Sequence, residues 1–166
     1  MNQHVISVQV ENKAGVLARV AGLFSARGYN IDSLTVSHTA QEDISIMTIV
    51  THGDEQVIEQ VKKQLNKLID VIKVTDHTNS KAIEREFMLI RINVKSSQRP
   101  EIYSLSEIFK ASIAEVSAKN MTISVKGEPE KLDEFIELLR PYGIKDLMRT
   151  GRISMLRDDE GSSNKK

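Results

Sequence analysis

The order of hydrophobic patterns constrains this chain most, because the same series of elements occurs twice. From Val5 to Val10 apolar and polar residues alternate, the period of a half-buried strand. Glu11-Asn12-Lys13-Ala14-Gly15 reads as a turn, and Val16, Leu17, Val20, Leu23 and Phe24 then recur at helical spacing. Gly28 is expected to end that helix. Tyr29 to Thr39 is strand-like, Gln41-Glu42-Asp43 turns the chain, and Ile44 to Thr51 is a second β-branched run. Asp54 is placed to cap a helix whose apolar face carries Val57, Ile58, Val61, Leu65 and Leu68. Val71, Ile72 and Val74 supply a fourth strand.

The series then returns. Phe87 to Val94 is a strand, and Pro100 opens a helix carrying Ile102, Leu105, Ile108 and Phe109. Ile113 to Val116 and Met121 to Val125 make a hairpin across Lys119-Asn120. Pro129 opens a helix with Leu132, Phe135, Ile136 and Leu139, Gly143 ends it, and Ile144 to Met155 supplies a last strand segment. The expected architecture is α+β, two tandem ferredoxin-like βαββαβ domains, each an antiparallel sheet with two helices on one face. The expected boundaries are 1–76, a polar linker at 77–82, 83–157, and a disordered tail at 158–166. Helices cover one sheet face only. Ile44, Ile46 and Val50 point away from Met47 and Ile49, so a partner chain or the second domain is expected to cover the other face.

Composition narrows the function. Lys+Arg and Asp+Glu both number 23, so no basic excess favours nucleic acid. With aromatics at 4% and none in Val5–Val10 or Ile44–Val50, base stacking has no platform. Cysteine is absent, which excludes thiol catalysis and cysteine–zinc sites and fits the cytosol. No apolar run approaches a membrane span, and no signal-peptide pattern opens the chain. His4, His38, His52 and His77 are scattered and read as exposed polar residues. Glu84-Arg85-Glu86 reads as a solvated strand entrance, and Asp158-Asp159-Glu160 as a solubilising run. No nucleophile, metal or phosphate-loop motif occurs, so an enzyme on this fold has no visible machinery.

One feature points to a ligand. Asn12-Lys13-Ala14-Gly15 leads straight into the first helix, whose start offers unpaired N–H groups and partial positive charge to a small carboxylate. Gly15 permits close approach to the backbone. Asn30 can donate to a carboxylate and accept from an ammonium, the two services an α-amino acid requires. The same residues also fit ordinary turn and cap chemistry.

The stretch Val8-Gln9-Val10-Glu11-Asn12-Lys13-Ala14-Gly15-Val16-Leu17-Ala18-Arg19-Val20 resembles the opening of an ACT domain, the amino-acid-sensing module. Gly22-Leu23-Phe24-Ser25-Ala26-Arg27-Gly28-Tyr29-Asn30-Ile31-Asp32-Ser33-Leu34-Thr35-Val36 resembles, more specifically, the small regulatory subunit of acetolactate synthase (acetohydroxyacid synthase). Met47–Val50, Gln64–Leu68, Arg85–Ile90, Lys131–Asp133 and Gly143–Gly151 extend the likeness over nearly the whole chain. Ile46 after Ser45 departs from the family's usual Ser-Arg before Met-Thr-Ile, and Ser37-His38 lies where the family varies. The resemblance implies that 1–76 is an ACT domain and that the chain is a non-catalytic regulatory subunit of branched-chain amino-acid biosynthesis. It further implies a homodimer or higher oligomer, and a catalytic large subunit that alone carries thiamine diphosphate, Mg and FAD. Valine, or another branched-chain amino acid, would lie between two chains, with Asn12, Ala14, Gly15, Val16 and Leu17 from one meeting Asn30 and Ile31 from the other. The alternatives are a free-standing amino-acid sensor with another partner, and an oligomerisation module with a dead site.

Overall fold

Alternation turns Ile6, Val8 and Val10 to one side of strand β1 (Asn2–Glu11), and all three are almost fully buried. In the computed structural model, which describes residues 2–158, the order continues α1 (Val16–Ser25), β2 (Ile31–His38), β3 (Ile44–Gly53), α2 (Glu55–Leu65) and β4 (Val71–Asp76). It then runs β5 (Ala82–Asn93), α3 (Arg99–Phe109), β6 (Ser112–Val116), β7 (Asn120–Gly127), α4 (Pro129–Leu139), β8 (Ile144–Arg149) and β9 (Ile153–Leu156). The βαββαβ series read from the sequence therefore occurs twice, with β9 added. Among the described residues, 2–83 joined by 152–158 form one compact unit, and Glu84–Gly151 form the other.

In the first unit the sheet order is β2-β3-β1-β4, antiparallel throughout. Register sets Val8 opposite Met47 on one side and Val74 on the other. These residues, with Ile6, Val10 and Ile49, pack against Val16, Val20 and Phe24 of α1 and Ile58, Val61 and Leu65 of α2. Each such side chain contributes about 1.5–3 kcal/mol on burial. Gly28 does end α1. At φ +71° it donates to the Ser25 carbonyl (3.0 Å) while Tyr29 N–H reaches Phe24 (3.0 Å), the paired closure that a left-handed residue after a helix permits. Asp54 precedes α2 and its carbonyl accepts from Val57 and Ile58, but its side chain makes no capping hydrogen bond.

The second unit repeats the plan with sheet order β6-β7-β5-β8. Met88, Ile90 and Ile92 of β5 and Met121, Ile123 and Val125 of β7 pack under Ile102 and Phe109 of α3 and Leu132, Phe135 and Leu139 of α4. The Phe109 and Phe135 rings lie 4.7 Å apart. Ile108 does not join this core and is 70% exposed. It follows Ile102 by six residues, which places it about 240° around the helix from that buried side chain.

Several expectations need correction. Ile144 to Met155 is not one strand segment. It breaks at Thr150-Gly151-Arg152, where Gly151 takes φ +86°. Thr150 N–H closes on the Phe87 carbonyl (3.0 Å), whereas the chain from Arg152 on returns to the first unit. There Arg152 N–H donates to Ser33 Oγ (3.3 Å), Arg157 N–H to the Lys81 carbonyl (3.0 Å), and Ser154 Oγ lies 2.6 Å from His77 Nδ1. Ser33 pairs with Val50, so the returning segment touches the helix-free face of the first sheet. His4 and His77 are buried rather than exposed, His4 Nε2 standing 3.2 Å from the Gly53 carbonyl. Glu86 is buried too, bound by Arg149 through Nε and Nη2 at 2.9 and 2.6 Å. The expected tail lies, from residue 159 on, outside the described residues.

The first unit carries an acid-sensitive pair. Lys62 Nζ donates to Asp76 Oδ2 at 2.8 Å and also contacts Glu59. Burial works to raise the Asp76 pKa, but hydrogen bonds from Lys62 and Thr78 outweigh it, and the carboxyl sits below its ordinary 3.8. A lowered carboxyl pKa gives stability that is complete above the ordinary value and is lost as pH falls through the folded one. Asp76→Asn is therefore expected to flatten the acid limb of the unfolding midpoint below about pH 4, in a melt series from pH 7 to pH 2.5.

Candidate functional site

The turn after β1 is tied down before α1 begins. Asn12 N–H donates to the Asp43 carbonyl (2.7 Å), and Asn12 Nδ2 donates to that of Glu42 (2.8 Å). Lys13 N–H reaches back to Glu11 (2.9 Å), and the Lys13 ammonium pairs with the Glu11 carboxylate (2.7 Å), a hydrogen bond that raises the lysine pKa. Gly15 then takes the left-handed conformation, φ +83°, as the residue before the helix, and its carbonyl accepts from Arg19 N–H (3.0 Å). No side chain caps α1, and its first turn holds no acidic residue, whereas α2, α3 and α4 carry Glu55, Glu101 and Glu130 there. The positive end of α1 is thus left without a protein anion of its own.

Two residues not foreseen from the sequence complete this half-site. A Cβ at Gly15 would meet Arg19 Nη1 at 3.3 Å, so the guanidinium lies over the glycine. Arg19 Nη2 is fixed by Asp70 Oδ2 at 2.6 Å, and Asp70, itself buried, accepts Glu11 N–H on its carbonyl (2.9 Å). Arg19 follows Gly15 by one helical turn, a signal present in the sequence. Asp70 is remote in sequence and is brought in by the β1–β4 pairing. Ala14 and Gly15 are exposed, Val16 is buried in the core with its N–H donating to the Lys13 carbonyl (3.4 Å), and Leu17 is 43% exposed.

Asn30 and Ile31 make a second half-site. The Asn30 carbonyl accepts Thr51 Oγ1 at 2.6 Å, and its Nδ2 donates to Asp32 Oδ1 at 3.0 Å. Asp32 Oδ2 in turn lies 2.6 Å from His52 Nδ1. The Asn30 side chain is held at the surface with its carbonyl oxygen still able to accept.

One chain does not bring the two halves together. Asn12 is bound at Asp43 and Asn30 at Thr51, eight positions apart along the β3 segment, or about 26 Å at the rise of an extended strand. No amino acid bridges that span. Among the described residues no group of three or more His, Asp or Glu is placed to hold a metal ion, and no helix is long and apolar enough to cross a membrane.

A family profile described as the AHAS small subunit-like ACT domain matches residues 6–73, and one described as the small subunit of acetolactate synthase matches residues 85–158. The chain belongs to the acetolactate synthase small-subunit family. It is 53% identical to a probable acetolactate synthase small subunit of Archaeoglobus fulgidus over 95% of this chain and 99% of that one. It is 45% identical to the acetolactate synthase small subunit of Bacillus subtilis over 98% and 96%. A crystal structure of the Thermotoga maritima acetolactate synthase small subunit superposes with a TM-score of 0.86 at 37% identity, covering 95% of this chain and 98% of that one. The first profile corresponds to the ACT unit at the N-terminus, and the second spans Glu86, Asp133 and Arg149, which meet in one ion-pair cluster.

Proposed function

We propose that this chain is the regulatory subunit of an acetolactate synthase. It raises the activity of a catalytic large subunit in the cytoplasm and makes branched-chain amino-acid synthesis sensitive to valine. The large subunit carries thiamine diphosphate, Mg and FAD; this chain contributes none of the reacting groups.

The observation that carries the reading is the separation of the two half-sites. Gly15 and Asn30 of one protomer cannot share a ligand, so a site using both needs two copies in opposite directions, as an isologous dimer supplies. In that arrangement the valine carboxylate sits at the amides of Gly15, Val16 and Leu17 beside Arg19, and Asn12 and Ala14 shape the loop. Such an anion is worth about 0.3–1 kcal/mol at an exposed helix start and up to about 2 when partly buried. The partner's Asn30 accepts from the ammonium, and Leu17 with the partner's Ile31 receives the isopropyl group, for roughly 1.5–3 kcal/mol on full burial. Feedback then needs valine to favour one dimer arrangement by about 1–3 kcal/mol, the usual size of a coupling free energy.

The test is reconstitution. Mixed with its cognate large subunit, the chain is expected to increase acetolactate formation and to make it inhibitable by valine, with leucine and isoleucine as comparison ligands. Valine binding without association with the large subunit would make the chain a free-standing sensor instead.

A further inference from the structure

An asparagine amide can turn either end toward a ligand, the two donors of Nδ2 or the acceptor Oδ1, and its partners decide which. At Asn30 the inward partner is a carboxylate. Nδ2 donates to Asp32 Oδ1 at 3.0 Å, and Asp32 Oδ2 lies 2.6 Å from His52 Nδ1. An ionised carboxylate only accepts, so it draws in Nδ2 of the asparagine and sets the imidazole proton on Nδ1. The end of the Asn30 amide left to a ligand is Oδ1.

The backbone supports this arrangement. Ile31 pairs with Thr51 and Ser33 with Val50, so Asp32 is the extra residue of a β-bulge, a feature that re-aims a side chain. Thr51 Oγ1 donates to the Asn30 carbonyl at 2.6 Å, and His52 is the next residue of β3. Asn30 is thus fixed at its main chain by one β3 residue and at its side chain, through Asp32, by the next. An outward Oδ1 suits the ammonium of an amino acid and opposes the carbonyl oxygen of a 2-oxo acid, because two facing acceptors form no hydrogen bond. The two compounds share a carboxylate and a carbon skeleton, so neither the helix start at Gly15 nor an apolar slot can tell them apart.

We propose that Asp32, steadied by His52, is a positioning residue that makes the valine site read the amino group and reject the 2-oxo acid of the same carbon skeleton. It acts through Asn30, whose amide it holds with the acceptor outward. The assignment rests on the regulatory-subunit reading above. The subunit then answers to the aminated compound and ignores its oxo acid.

The test measures, by calorimetry on the full chain, the affinities for valine and for 3-methyl-2-oxobutanoate. The parent is expected to prefer valine by at least about a hundredfold, as a site that hydrogen-bonds an N–H strongly rejects the analogue lacking it. Asp32→Asn keeps the shape, but His52 donates to the new amide's oxygen, so its NH2 faces Asn30. Asn30 then flips and offers Nδ2 to the ligand, and the preference is expected to shrink to within about tenfold. Asp32→Asn with His52→Ala frees the new amide to turn its oxygen back to Asn30, and is expected to restore most of the preference. Loosening of the segment would weaken both ligands alike and would not be reversed by a second deletion. Thermal melting is expected to stay near the parent value, because Asp32 and His52 are exposed. A parent that binds both ligands alike, or an unchanged preference in Asp32→Asn, overturns the assignment while leaving the valine site in place. A preference that narrows and stays narrow without His52 overturns it too, by giving the selectivity to the charge of Asp32. A parent chain that binds neither valine nor the large subunit overturns the regulatory reading and this inference together.

Discussion

Gly15→Asp is expected to abolish the response to valine while leaving stimulation of the large subunit in place. The new carboxylate would stand where the ligand's own belongs, at the uncapped start of α1 and beside Arg19. It would occupy the guanidinium and repel the incoming anion; two like charges about 4 Å apart near a protein surface cost on the order of 4 kcal/mol. A fall in valine affinity of at least roughly a hundredfold is expected, since each 1.4 kcal/mol is worth about a factor of ten. The left-handed backbone at φ +83° adds a separate cost in stability, about 1–2 kcal/mol for a residue with a Cβ and less for Asp, which tolerates that region better than most. Calorimetry with valine and the inhibition curve of the reconstituted enzyme read the first effect, and a thermal melt reads the second. Unchanged inhibition by micromolar valine would remove Gly15 from the site.

Arg149→Ala is expected to be the most destabilising single change outside the hydrophobic cores. The arginine binds Glu86 through two hydrogen bonds, and the Glu86 side chain is only 7% exposed. The hydrogen bond to Glu86, more than the one to Asp133, pushes the Arg149 pKa above its ordinary value. Removing the arginine strands a buried carboxylate, which costs about 3–5 kcal/mol. In a unit of this size that lowers Tm by roughly 12 °C or more. Asp133→Ala removes only the exposed partner and is expected to cost under about 1 kcal/mol. The double variant Glu86→Gln with Arg149→Met, which leaves no charge behind, is expected to recover much of the loss. Equal costs for Arg149→Ala and Asp133→Ala would show that burial of Glu86 does not govern the cluster.

Much of this fold can be read from period and punctuation. Ile6, Val8 and Val10 alternate, Val16, Val20 and Phe24 recur by turns, and Gly28 closes the helix for reasons that act within a few residues. What depends on distant partners cannot be read that way. His4, His77 and Glu86 look like surface residues because their hydrogen-bonding partners, Gly53, Ser154 and Arg149, are 49 or more positions away. The break at Gly151 is hidden because Ile153 and Met155 continue an apolar pattern, although the chain there leaves one unit for the other. At the site, Gly15 and Asn30 announce themselves by local chemistry. Arg19 stands one helical turn after Gly15 and could have been found the same way, but Asp70 could not, because its role rests on a pairing with Arg19 51 residues away.

The central claim is that each valine is held by Gly15 of one chain and Asn30 of another. Gly15→Asp and Asn30→His chains, each inactive in binding alone, can be unfolded together and refolded into mixed dimers. A hybrid dimer then has one site with both lesions and one with neither. With random pairing about half the dimers are hybrids, so calorimetry is expected to find intact valine sites at roughly a quarter of the parent number, with parent affinity. If both residues served a site within a single chain, every site would carry a lesion, and the mixture would bind no more valine than either variant by itself.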